Sequence, residues 1–294
     1  MNLGTQPAYL IVNADDYGYF NCVSRGILEL ARNGIVTATG LFANAEHFDK
    51  HVSWLQDCQD LDLGVHLSLT ERTPLTSGIR KKLTRWGGRF PDKYTVAKAV
   101  MFGFLKKDDV LAEWRAQIER CLDKGLTLRF LNSHEHIHML PVLFPMVQAL
   151  AAEYNIVHVR FSTSDLYHCW SIGPLVRNTV IKMLSVYNRR YLTSDAAHFI
   201  GLGQSGRLSL GYLQNSLPKL KPGNVYELMC HPGHYDADEI NDSRLLSYHD
   251  WESEFNVLNS TTVKELCHNH GVWLVGYKDL QLVKGQLTVM TANG

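Results

Sequence analysis

The chain has 294 residues, 45% of them hydrophobic, and its 29 Lys/Arg balance 29 Asp/Glu to a formal net charge of zero. That balance leaves no global electrostatic footprint for nucleic acid, and no apolar run is long enough to span a bilayer. The six cysteines (Cys22, Cys58, Cys121, Cys169, Cys230 and Cys267) are scattered without a CxxC pair, which fits a reduced, cytoplasmic protein better than a disulfide framework.

Residues 8–12 are a short apolar run, read as a buried strand that ends in Asn13-Ala14-Asp15-Asp16-Tyr17-Gly18. The N-terminus lacks the charged and apolar regions of a signal peptide. Asn21 or Ser24 is expected to cap a helix running to about Arg32, closed by Asn33-Gly34. Residues 35–42 read as a second strand and 45–58 as a second helix. The third strand, 61–70, alternates cleanly: Leu61, Leu63, Val65, Leu67 and Leu69 face one way, and Asp62, Gly64, His66, Ser68 and Thr70 the other. Barrel strands are buried on both faces, so a polar face is expected to point into a site.

Residues 72–107 break the rhythm, with ten Lys/Arg against one Asp. They read as a basic, lid-like excursion over the site. A helix is expected over 108–124, a strand over 127–132, a helix over 142–154 with Pro141 near its first turn, and a strand over 156–161. The next helix, 173–191, carries Val176, Val180, Leu184 and Tyr187 along one stripe and reads first as an ordinary barrel helix. A strand over 224–230 ends at His231-Pro232-Gly233. Helices follow within 243–258 and 262–270, then a strand over 271–276 and a weakly ordered tail after about 284. About seven strands alternating with helices argue for a parallel α/β architecture in one domain over 1–294. A barrel is favoured over nucleotide-binding sheets because no GxGxxG or Walker loop follows a strand.

The densest chemistry lies in Asn132-Ser133-His134-Glu135-His136-Ile137-His138. If the strand continues, the three histidines share one face; if the chain has turned helical, His134 and His138 lie one turn apart. Either way imidazoles converge, and neutral imidazole is the commonest ligand for transition metals. One carboxylate and two imidazoles leave coordination positions open for water, as catalysis requires. Asp15-Asp16 offers one carboxylate to bind and one to act as base; the plain alternative is a pair of helix caps.

Five segments together resemble one family, the YdjC/ChbG carbohydrate deacetylases, which also includes HpnK-like proteins. They are residues 11–18, residues 33–39 (Asn-Gly-Ile-Val-Thr-Ala-Thr), residues 63–70 (Leu-Gly-Val-His-Leu-Ser-Leu-Thr), residues 132–138 with Pro141, and residues 229–233. The resemblance covers roughly residues 8–280; the loops at 72–107 and 162–222 do not match. It implies a distorted, TIM-barrel-like (β/α) barrel of the deacetylase type. It also implies a divalent-metal-dependent hydrolase that removes the acetyl group from an N-acetylated amino sugar by water attack. Asp16, His66 and His134 then correspond to the metal ligands, Asp15 to the general base, and His231 to the second acid/base or the oxyanion partner. Asn13, Asn132, His136, His138 and Arg160 fall beside the metal or against substrate. The family commonly has Asp where this chain has Asn132. Magnesium is the implied cation; mixed O/N ligation also suits zinc, manganese or cobalt. A homodimer is a further implication.

The basic excursion, with Trp86 and Phe90 among its cations, is read first as a solvated lid. The sharper alternative is contact with a phosphate group or an anionic membrane, assisted by the helix at 175–191 with Arg177, Lys182, Arg189 and Arg190 flanking its apolar stripe; together they would make a lipid-linked amino sugar the substrate. Two rival functions stand beside the deacetylase: a metal-dependent phosphoesterase or amidohydrolase using His136-Ile137-His138 as an HxH ligand pair, and a non-catalytic sugar-binding relative.

Overall fold

The computed structural model describes residues 6–165 and 172–290, so Cys169 lies outside it; the other five cysteines are free and buried. The first strand, β1 (Ala8–Tyr17), is buried along almost its whole length and is twice as long as its apolar run suggests. Then follow α1 (Asn21–Asn33), β2 (Ala38–Leu41), α2 (Phe48–Trp54), β3 (Asp62–Leu67), α3 (Ser77–Lys82), α4 (Lys93–Met101), α5 (Lys107–Leu122) and β4 (Leu128–Ser133). A 3-10 turn at His134–Met139 leads into α6 (Phe144–Glu153), β5 (His158–Val159), α7 (Ile172–Asn188), β6 (His198–Ile200), α8 (Leu210–Ser216) and β7 (Val225–Cys230). Helices α9 (Ser243–Tyr248), α10 (Trp251–Asn259) and α11 (Thr261–Asn269) precede β8 (Val272–Leu274), and a hairpin of β9 (Leu280–Val283) and β10 (Gln286–Val289) follows.

The main sheet is parallel, in the order β5-β4-β3-β2-β1-β7-β6, and curls into an incompletely closed barrel. β1 is its pivot. β7 pairs along one edge from Tyr9 to Ala14, so β2 and β8 share the other, β8 at Ala8–Leu10 and β2 from Asn13 onward. The seam falls between β5 and β6, bridged by Thr163 Oγ1 donating to Phe199 O at 3.3 Å. The three-residue β6 has no counterpart in the sequence reading, because it is too short for alternation to register.

Several expected details resolve differently. Neither Asn21 nor Ser24 caps α1 through its own side chain. Phe20 occupies that position, and Glu239 accepts from Cys22 N at 2.9 Å and Asn21 Nδ2 at 3.1 Å. The first turn of α6 holds Pro145 rather than Pro141. Past Lys284 the chain pairs rather than trails: Lys284 and Gly285 both have positive φ (52° and 82°), the conformation of a two-residue hairpin turn.

The 72–107 stretch is tied down by a buried carboxylate on α5. Val110, Trp114, Ile118 and Cys121 form the apolar stripe of that helix. Beside them, Glu113 accepts from Leu75 N (2.9 Å), Thr76 N (2.8 Å), Thr76 Oγ1 (2.7 Å) and Gln117 Nε2 (3.0 Å). Four donors offset the cost of burying the charge.

Two histidines remote from the site set an acid limit on stability. Burial pushes His51 and His158 each down to about 4. Below the ordinary imidazole value of 6.5 the unfolded chain takes up protons that the folded one refuses, so stability is lost as pH falls from 6.5 toward 4. Each contributes about 1.4 kcal/mol per pH unit in that window. Urea unfolding at pH 7 and pH 5 is expected to show this drop, reduced in His51→Phe.

Candidate active site

Adjacent residues on a strand point to opposite faces, yet the structure turns both Asp15 and Asp16 inward. The reason is a bulge. The β1–β2 register shifts between Ala14 and Tyr17, and Asp16 has φ of 70°, a left-handed conformation that non-glycine residues rarely adopt. Both carboxylates are buried within the strand and cap no helix.

The proton positions around Asp15 follow from one another. Arg160 donates to Asp15 through Nη1 (2.6 Å) and Nη2 (2.9 Å). Burial alone would raise the Asp15 pKa; the Arg160 guanidinium, with His66, outweighs it and holds the carboxyl below its ordinary range. An ionised Asp15 can only accept, so the Asn132 group 2.9 Å from its Oδ1 is the amide Nδ2. Asn132 Oδ1 therefore faces His66 Nδ1 at 2.8 Å, and His66 must donate there. Its other ring nitrogen, Nε2, lies 3.3 Å from Asp16 Oδ1. Asn132 thus uses both ends of its amide. Neighbouring β2 makes room with Gly40, where a Cβ would lie 2.9 Å from Asn132 Oδ1 and 3.1 Å from the His66 ring.

Of the polar face of β3, only His66 reaches the site. Ser68 binds Gln117, and Asp62 accepts from Lys278 N at 2.8 Å. The histidine cluster after β4 follows neither expected geometry. Glu135 (φ 53°) and His136 (φ 54°) are both left-handed, so the chain turns sharply and sends the three rings apart. His134 Nδ1 lies 3.0 Å from Asp16 Oδ1. His136 Nδ1 meets Ser162 Oγ at 2.9 Å. His138 is fully buried, with Nε2–H donating to Arg160 O at 3.0 Å and Nδ1 accepting from Ser133 Oγ at 2.5 Å. Burial pushes its pKa down to about 3, so it stays neutral and holds the backbone of Arg160.

Asn13, also buried, donates to Asp15 Oδ1 at 2.7 Å. The β1–β7 register, with Ala14 opposite Cys230, sets His231 beside Asp15. Burial lowers the pKa of His231, and its Nδ1 has no protein partner among the described residues.

Four further groups complete the site, and sequence reading missed them. Glu227, on β7, accepts from Arg160 Nε at 2.6 Å; a lone carboxylate in the run Val225–Cys230 was the available signal. Glu254 on α10 accepts from His231 N (2.6 Å) and Leu208 N (3.0 Å), fixing the turn that carries His231. Tyr19 stacks on His134 with ring centres 5.5 Å apart, and Phe42 packs edge-on against both His66 (4.9 Å) and His134 (5.1 Å). Nothing in the local sequence marks these aromatic contacts. Beside Asp16, a recess is lined by Tyr19, Phe20, His134, Leu245, His249 and Trp251.

Asp16, His66 and His134 offer three ligand atoms within 4.8 Å of one another, and they are the one such group among the described residues. His66 Nε2 lies 3.3 Å from Asp16 Oδ1, so a neutral His66 can turn its electron pair, with the Asp16 carboxylate, onto one cation. One carboxylate and two imidazoles therefore fit a divalent metal. His136 and His138 join no such group, so the HxH pair of the phosphoesterase reading does not form.

The chain as a whole is similar to known proteins. A carbohydrate deacetylase of Geobacillus stearothermophilus is 30% identical over 273 residues, covering 93% of this chain and 98% of that protein. A chitooligosaccharide deacetylase of Citrobacter koseri is 28% identical over 277 residues, covering 92% and 98%. An Enterococcus faecalis V583 crystal structure, of a protein assigned to cellobiose-phosphate cleavage, is 24% identical, has a TM-score of 0.72, and covers 92% of this chain and 98% of that one. It shares the fold. The YdjC-like protein family matches from residue 9 to residue 269, a span that holds the whole Asp-His-His cluster, Asp15 and His231, and the chain therefore belongs to that family.

Proposed function

We infer that the protein is a divalent-metal-dependent carbohydrate deacetylase, hydrolysing the acetamide of an N-acetylated amino sugar to acetate and free amine. The observation that carries this is the convergence of Asp16, His66 and His134 beside a separate, arginine-paired Asp15. The names of the relatives supply the substrate class.

Asp16, His66 and His134 would hold the cation, with magnesium the first candidate and zinc, manganese or cobalt compatible with the same donors. When bound, the metal supplies Lewis-acid polarisation and a water of lowered pKa. Asp15 is placed to take the proton of the attacking water. Its Oδ1 accepts from Asn13, Asn132 and Arg160, whereas Oδ2 accepts from Arg160 Nη1 and retains a lone pair. Its pairing with Arg160 keeps it ionised and oriented. The proton that Asp15 takes from the water has to reach the departing amine nitrogen; His231, neutral at rest, accepts it and then passes it on. The small aromatic recess beside Asp16 suits the acetyl methyl.

Asn132 acts through His66. Asn132→Ala removes the acceptor that fixes the His66 tautomer and is expected to weaken metal affinity about 10–100-fold. Competition titration against a fluorescent chelator measures it. The reaction itself is tested by acetate release from N-acetylglucosamine oligosaccharides and from a lipid-linked N-acetylated sugar. Release from either supports the reading. Metal bound in stoichiometric amount with no acetate released from any of them would leave a sugar-binding relative instead.

A further inference from the structure

Helix α7 is built inside out. Its buried positions are Asn178, Ile181, Ser185 and Asn188, and Asn188 donates to Met139 O at 2.7 Å. Its apolar residues face outward: Val176 is 56% exposed, Met183 67% and Val186 70%, with Ile172, Val180 and Tyr187 beside them. The apolar stripe therefore lies mainly in solvent, and only Leu184 of it is half-buried. A second exposed apolar group follows α4, where Met101 is 65% and Phe102 84% exposed. Both helices pack against the His134–Met139 turn that carries a candidate metal ligand, and Lys93 of α4 pairs with Glu135 of that turn at 2.8 Å.

Charge is segregated in the same places. Residues 72–107 and 172–191 together hold fourteen of the chain's 29 Lys/Arg and one of its 29 Asp/Glu. Exposed apolar side chains interspersed with cations and nearly free of acids are the composition of a helix that lies in a lipid headgroup region. A second copy of the chain fits poorly, since a two-fold contact through α7 would bring Lys182, Arg189 and Arg190 against their own equivalents with no acid on either face. No described helix is long and apolar enough to cross a membrane, so the contact would be peripheral.

We propose that the outer face of α7, with the exposed residues after α4, docks on an anionic lipid bilayer and sets the mouth of the site at headgroup level. The docking is independent of the assigned reaction. If the deacetylase reading holds, it also names the substrate class: an acetylated sugar carried on a lipid.

The test is flotation of the purified protein with phosphatidylcholine vesicles, with and without about 30 mol% phosphatidylglycerol. Wild type is expected to float with the anionic vesicles alone and to be released by high salt. Lys182→Gln and Arg189→Gln are each expected to weaken binding about fivefold. Met183→Glu/Val186→Glu is expected to abolish it, while leaving hydrolysis of a soluble substrate unchanged. Wild type that stays unbound on anionic vesicles, or a double variant that binds like wild type, would overturn the proposal. So would a dimer in light scattering that the double variant splits, which would give this face to a second copy.

Discussion

Asp15→Asn is expected to lower acetate release by about 10²–10⁴-fold while metal still binds, the range that removal of a positioned general base covers. Asn keeps the size of Asp15 but loses the charge and the lone pair on Oδ2 that takes the water proton. One of its positions becomes an amide N–H facing the Arg160 guanidinium, so the clamp is lost with the base. Asp16, His66 and His134 are untouched, so the metal stoichiometry of the variant should equal that of wild type. Parallel metal analysis and acetate assays measure both; full activity in Asp15→Asn would remove Asp15 from the mechanism.

Arg160→Met is expected to give a large stability loss. Arg160, Asp15 and Glu227 are all essentially buried, and the one guanidinium reaches Asp15 at 2.6 and 2.9 Å and Glu227 at 2.6 Å. Burial alone would lower the Arg160 pKa, but the two carboxylates outweigh it and raise it. Methionine fills the volume but strands two carboxylates, and breaking a buried pair this way costs about 3–5 kcal/mol. Adding Glu227→Gln should recover part of the loss, since one stranded charge is then removed. Urea denaturation of the three proteins checks this; a loss under about 1 kcal/mol for Arg160→Met would mean that water reaches the cluster and screens it.

How much of this was legible depended on the range of the interaction. The strands β1, β3, β4 and β7 could be read because each is an apolar run broken by polar groups, and that break is where barrel chemistry sits. The family resemblance points to Asp16, His66 and His134 as candidate ligands, and the fold brings the three together. What the sequence hid was local backbone handedness. The positive φ at Asp16 turns two neighbouring carboxylates to one side, and those at Glu135 and His136 scatter three histidines that alternation would have aligned. Contacts across long separations were equally invisible: Arg160 meets Asp15 145 residues away, and Glu254 meets His231 N across 23. Helix α7 misled for a different reason. Periodicity finds an apolar stripe but does not say which side of it is water, and here the core takes the asparagines.

In the proposed reaction Asp16, His66 and His134 hold the cation that hydrolysis needs. The direct measurement is metal content and acetate release for wild type and His66→Ala, after chelation and re-addition of single divalent metals. Wild type should bind one equivalent and regain hydrolysis of an N-acetylated oligosaccharide with at least one of them, whereas His66→Ala should lose both together. Chelated wild type that still releases acetate, or His66→Ala that binds metal and turns over like wild type, would contradict it.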